Sequence, residues 1–201
     1  MRLSSKWRTN HDGGSSLMLC NENKFVFIRT TRTGCNSIVQ ALRPHVTLHQ
    51  EVPDLSHPTM AHFMWWRPDD YDKYTSFGFV RNPYSWYVSF WSITSQDTHT
   101  FEQFMMGRPN IAALHNASPM SWLTYWNSDT IAVDHVFKFE EYDESMDRVR
   151  EITQVDFTLG EKSYGRYSGH YTDHHNPITR MIVESRCRAC IERFEYKYGE
   201  D

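Results

Sequence analysis

The sequence predicts an α/β domain: a central, mostly parallel sheet flanked by helices in three layers, with a P-loop-like turn at its carboxyl edge. Three observations carry this. Short aromatic and β-branched runs alternate with helical stretches. Two of those runs lead straight into a polar loop and then a capped helix. The chain has 201 residues, 39% apolar and 23% charged. That is enough for one globular domain with a real core, taken as 1–201 with a polar, loosely ordered lead-in over 1–23.

The elements follow in order. Lys24-Phe-Val-Phe-Ile-Arg-Thr30 reads as a buried strand and Thr31–Cys35 as a loop. Asn36–Arg43 reads as a helix, with Asn36 as N-cap and Pro44 as stop. Pro53, Pro58 and Pro68 break up residues 45–75. Ser76–Arg81 is a second strand. Asn82 then caps a helix that starts at Pro83, where proline is best tolerated, and runs to about Ile93. Short helices are expected around Phe101, Phe104, Trp122 and Tyr125, and a third strand over Asp134–Phe139. Asp143 caps a helix over 144–153, Ser163–His175 forms a polar loop, and a last helix runs from Asn176 to about Phe194 with Ile178, Ile182 and Ala189 on one stripe.

Composition excludes several classes. A formal net charge of −4 argues against a general nucleic-acid binder, which needs a broad basic face. No run reaches the ~18 apolar residues of a membrane span, and the N-terminus lacks an apolar signal core. The chain is expected to be cytoplasmic, or to reside in the Golgi lumen if it is part of a longer membrane-anchored protein. Four cysteines are too few and scattered for a disulfide scaffold. Cys187-Arg-Ala-Cys190 has no partner pair, so neither metal nor redox function is assigned to it.

The first loop reads as an anion site. N–H groups at a helix start are unpaired and carry the positive end of the dipole. Arg32, Thr33, Gly34, Asn36 and Ser37 add a guanidinium, hydroxyls and a glycine for close approach. An ATP or GTP P-loop would need GxxxxGK[ST], which this loop lacks; a ligand-free strand-turn-helix stays open. In the second unit, Arg81 ends a strand, and Ser85, Ser89 and Ser92 share one face of a helix that is otherwise apolar almost all round. That face meets either a phosphate or a closely packed neighbour.

Together the two units resemble the sulfotransferase superfamily, in particular its carbohydrate-type members. Phe25-Val-Phe-Ile-Arg-Thr-Thr-Arg-Thr-Gly-Cys-Asn-Ser-Ile38 is similar to the family's 5′-phosphosulfate loop, FIxIPKTGGTSI. Phe77-Gly-Phe-Val-Arg-Asn-Pro-Tyr-Ser-Trp-Tyr-Val-Ser89 resembles its 3′-phosphate motif, FxFVRNPxxRxVS. Val136-Phe-Lys-Phe-Glu140 and the tyrosine-rich stretch Tyr167–Tyr198 continue the likeness in the same order. The resemblance implies transfer of a sulfuryl group from 3′-phosphoadenosine 5′-phosphosulfate to a hydroxyl or amine, with a glycan or small molecule as acceptor and no metal. It implies that Arg32, Thr33, Gly34, Cys35, Asn36 and Ser37 hold the 5′-phosphate, and that Arg81 and Ser89 hold the 3′-phosphate. Arg32 stands where most members carry a catalytic lysine.

The acceptor needs a general base, and histidine has a suitable pKa. His57 is ranked first and His62 second, because both stand between the two phosphate motifs. His170, His174 and His175 read as polar loop residues. Trp65 and Trp66 can stack on a sugar ring or fill core. Two rival readings remain: a nucleoside or small-molecule kinase with a degenerate loop, and a non-catalytic sulfotransferase-like binding protein.

Overall fold

A computed structural model describes residues 17–47, 49–50, 58–107, 117–160 and 167–200. The chain builds one five-stranded sheet in the order β3-β1-β2-β4-β5: β1 Leu17–Cys20, β2 Phe25–Ile28, β3 His49–Gln50, β4 Thr75–Val80 and β5 His135–Lys138. β2 pairs in parallel with β4, and β4 with β5. β1 runs antiparallel to both β2 and β3. Four of the five strands therefore point the same way, so the sheet is mostly parallel in direction.

Alternation along the strands sorts the core into two faces. Phe25, Phe27, Phe77 and Phe79, with Met18 and Cys20, bury against helix α1 (Cys35–Leu42) and helix α5 (Met146–Thr153). The Phe27 and Phe77 rings stack at 4.8 Å across the β2–β4 pair, the cross-strand contact that stabilises a ladder. Leu19, Val26, Ile28 and Val80 face the other way. That side is covered by α2 (Met60–Trp66), α3 (Pro83–Thr94), α4 (Phe101–Met105), α6 (Pro177–Arg186) and α7 (Arg188–Phe194). These are the three predicted layers.

Several sequence expectations are corrected. Part of the predicted loose lead-in is β1, which is ordered and buried in the sheet. Helix α1 begins at Cys35 with Gly34 as its N-cap, not Asn36, because the loop needs a left-handed residue there. Helix α5 takes Ser145, not Asp143, as its cap. The long C-terminal helix is two helices broken at Cys187. Its buried stripe is Thr179, Val183, Cys187 and Cys190, whereas Ile178 is exposed. Both cysteines are free, and burial pushes the Cys187 thiol up to about 12.

Helix α3 is the central strut. Nine of its twelve residues are buried, as its all-round apolar pattern requires. Asn82 caps it by accepting the Tyr84 N–H, and Pro83 occupies the first turn.

Candidate functional site

Because β2 and β4 are parallel neighbours, their carboxyl ends lie side by side. Each is followed by a helix, α1 and α3, so two helix N-termini meet at one edge of the sheet. This is where open α/β sheets bind ligands.

The loop between β2 and α1 is bound by its carbonyls. Trp86 Nε1 donates to Thr31 O at 2.7 Å. Arg81 Nη1 donates to Arg32 O at 3.2 Å. Thr33 Oγ1 donates to Thr30 O at 2.8 Å, and the Tyr142 hydroxyl donates to Gly34 O at 2.9 Å. Arg32 and Gly34 adopt left-handed φ of 64° and 71°. With the carbonyls drawn away, the backbone N–H groups of Arg32 through Asn36 find no acceptor among the described residues. Successive N–H groups in such a turn make an anion-binding concavity.

The cations converge on the same place. Arg32 Nε donates to Ser89 Oγ at 3.0 Å. Arg81 Nε donates to Ser85 Oγ at 2.9 Å, its Nη2 reaches the Tyr167 hydroxyl at 3.4 Å, and its guanidinium lies 4.6 Å over the Phe139 ring. Burial, and then the Arg81 charge, hold the Arg32 guanidinium below its usual range. A guanidinium disfavoured by burial and by a neighbouring like charge, beside a run of unpaired N–H donors, is arranged to receive an anion.

The predicted loop residues are thus brought together with the Arg81 unit, but their side chains divide the work. The Thr33 side chain is fully buried, and its hydroxyl braces the loop internally. The Cys35 side chain packs into the core. Asn36 accepts from Arg29 Nη2 at 2.7 Å. For Thr33 and Cys35, as for Gly34, the group left open to a ligand is the backbone N–H. Ser89 is paired with Arg32, while Ser85 takes Arg81. Sequence reasoning did not single out Ser85's pairing, Tyr142 or Tyr167.

A clamp fixes the second unit from the far end of the chain. Glu140 accepts the Asn82 N–H at 2.7 Å and the Tyr196 hydroxyl at 3.1 Å. Asn82 Nδ2 donates to Lys197 O at 3.3 Å and Glu200 O at 2.8 Å, and Gly199 N donates to the Tyr171 hydroxyl at 2.6 Å.

Gly34 shows how tightly the loop is fitted. A Cβ there would stand 2.9 Å from Tyr142 Cε2, and the Tyr142 ring is wedged between Phe79 and Phe139 at 5.3 and 5.8 Å. Gly34→Ala adds left-handed strain to that clash. It is expected to cost about 1–3 kcal/mol of stability, visible as a lowered Tm, and to weaken anion binding in calorimetry.

His57, the first-ranked base, lies outside the described residues. His62 is the N3 residue of the α2 capping box: its Nδ1 accepts the Thr59 N–H at 3.1 Å. The neutral ring therefore carries its proton on Nε2, which as a donor cannot take another from an acceptor. Burial lowers its pKa. Its other contact is the edge of Trp126 at 5.2 Å.

His175 differs from its expected role as a loop polar residue. It packs among Tyr84, Phe101 and Tyr198 and bonds Tyr84 O through Nε2 at 3.2 Å. Burial pushes its pKa down to about 4. The folded value lies below the unfolded one, so the unfolded chain binds the proton more readily. The stabilisation is complete above about pH 6.5 and is lost as pH falls from there through about 4. Replacing the ring in His175→Gln is expected to flatten the fall of Tm across that window, relative to the native chain, by an effect on the order of 3 kcal/mol.

Among the described residues no group of His, Cys, Asp or Glu could hold a metal ion, and no helix is long and apolar enough to cross a membrane. A cleft of about 470 Å³ opens between Gln40, Pro44, His45 and Phe157. It sits at the opposite end of α1 from the loop, away from Arg32 and Arg81.

Compared with known proteins, a family model described as "Sulfotransferase family" matches residues 15–182, well over half of the chain. No curated protein and no solved structure matches.

Proposed function

The chain belongs to the sulfotransferase family, and from that premise we propose that it moves a sulfuryl group from 3′-phosphoadenosine 5′-phosphosulfate to a hydroxyl or amine, with a carbohydrate as acceptor. The observation that carries this reading is the run of unpaired N–H groups from Arg32 to Asn36 beside two guanidiniums. It offers what a donor with two phosphate groups needs: a backbone cradle for one and a separate cation for the other.

In this reading the N–H groups of Thr33, Gly34, Cys35 and Asn36 hold the 5′-phosphosulfate, with the Ser37 hydroxyl beside them because its N–H is taken by Gly34 O at 3.0 Å, and Arg81 with the serine face holds the 3′-phosphate. Transfer resembles phosphoryl transfer: in-line attack at sulfur, with negative charge growing on the leaving phosphate. Arg32 supplies the positive charge that meets it. Ser89 fixes the Arg32 side chain, so little reorganisation is needed as the charge develops. Because arginine stays protonated, Arg32 acts through charge rather than as an acid.

The test is transfer of radiolabel from the donor to a panel of saccharide and small-molecule acceptors, with and without chelator. Label is expected to move in both conditions. Transfer that stops with chelator and returns with added metal favours the kinase-like chemistry instead. Bisphosphate binding without any transfer marks a binding protein.

A further inference from the structure

The chain reverses direction between Leu123 and Ala132. Thr124 bridges Ile131, Tyr125 N donates to Thr130 O at 3.1 Å, and Ala132 N donates to Leu123 O at 2.8 Å. Asn127 makes the turn with φ 52°. The tip leans on the start of α2, and a cleft of about 380 Å³ lies between them, lined by Thr59, Thr124, Tyr125, Trp126, Asn127 and Asp129 among others.

Two features mark this cleft. Its aromatic rings are presented to solvent: Trp126 is 54% exposed and Tyr125 45%. The Trp126 ring is nonetheless held, because its edge contact is with His62 at 5.2 Å and His62 is pinned by the Thr59 capping box. A ring fixed before binding loses little conformational freedom when a ligand covers it. Around it, the Tyr125 hydroxyl, the Asn127 amide and the Asp129 carboxylate make no hydrogen bond with any described residue.

We propose that this cleft binds a saccharide that carries no acidic groups, a neutral or amino sugar. A pyranose presents an apolar C–H face to a flat ring and hydroxyls to a polar rim, which matches Trp126 within its ring of unpaired donors and acceptors. Charge sets the class. Among the described residues no lysine or arginine lines the cleft, and Asp129 is the one charged lining group. A carboxylated sugar would meet like charge with no cation to offset it, whereas an ammonium group would be attracted. As a statement about the acceptor this rests on the transfer reading; as a binding cleft it is tested apart from it.

The experiment titrates the whole chain with three probes: N,N′,N″-triacetylchitotriose, its deacetylated trimer, and trigalacturonic acid. Tryptophan fluorescence and calorimetry report binding, and adenosine 3′,5′-bisphosphate is titrated in parallel. The neutral and amino trimers are expected to bind saturably, and the acidic one at least tenfold more weakly. Trp126→Ala should weaken saccharide binding at least tenfold and leave bisphosphate affinity as it was. Asp129→Asn should erase the advantage of the amino trimer over the neutral one. Tyr125→Ala, expected to weaken saccharides at least threefold, gives a second route should the tryptophan variant not fold. The proposal is overturned if the acidic trimer binds as well as the neutral one, if the Trp126 and Tyr125 variants bind unchanged, or if no trimer binds while the bisphosphate does. Saccharide binding that depends on Trp126, in a chain that ignores the bisphosphate, upholds the cleft and removes the donor reading.

Discussion

Arg32→Ala is expected to lower kcat by about 10²–10³, the usual cost of losing one electrostatic donor at a developing charge, while donor affinity falls much less. The leaving phosphate gains charge only as its bond to sulfur breaks, so a cation there binds the transition state more tightly than the ground state. The structure adds a second signature. Arg32 is disfavoured in the resting protein, partly desolvated and repelled by Arg81. Its removal should therefore leave Tm unchanged or raise it, the behaviour of a group kept for activity rather than stability. Arg32→Lys should restore much of the rate, since it keeps the charge and can still reach Ser89, though without the planar fork. Single-turnover kinetics with a working acceptor, alongside thermal denaturation, checks both halves. An unchanged kcat in Arg32→Ala would remove this residue from the catalytic role.

Arg81→Ala is expected to abolish the preference for adenosine 3′,5′-bisphosphate over 5′-AMP. A charge-assisted bond to the 3′-phosphate contributes about 1.5–3 kcal/mol, or roughly 10- to 150-fold in Kd. The ratio of the two affinities is the proper readout. Arg81 also holds Arg32 O at 3.2 Å, so its loss loosens the first loop and weakens both nucleotides together. Only the 3′-phosphate contribution changes the ratio. Calorimetry showing equal discrimination in the native and variant chains would place the 3′-phosphate elsewhere.

What was legible in the sequence was what depends on neighbours in the chain. β2, β4 and β5 announce themselves by aromatic and β-branched runs, and α3 by its cap, its proline and its apolar surround. β1 was not legible because Leu17–Cys20 is four residues long and lies in a polar stretch; its partner across the sheet, not its composition, makes it a strand. The break at Cys187 has no glycine or proline to mark it. At the site, the spacing of Arg81 and Ser89 could be counted, but their pairing could not. Ser89 turns to Arg32, 57 positions away, because α3 packs against the loop through Trp86. Tyr142 was invisible for the same reason: its hydroxyl meets Gly34 from 108 residues downstream.

The clamp on Asn82 has a consequence for how the protein comes into being. The β2–α1 loop and α3 are synthesised before the C-terminal helices, yet Asn82 finds two of its acceptors 115 and 118 residues later, in Lys197 and Glu200. Glu140 likewise waits for Tyr196. Contacts so distant along the chain form late, since a long loop must close before any of them is rewarded. Until residues 196–200 have emerged from the ribosome and docked, the turn that carries Arg81 lacks its anchor. A growing chain therefore holds this edge of the sheet unfinished until residues 196–200 have been made, while the rest of the sheet can already assemble.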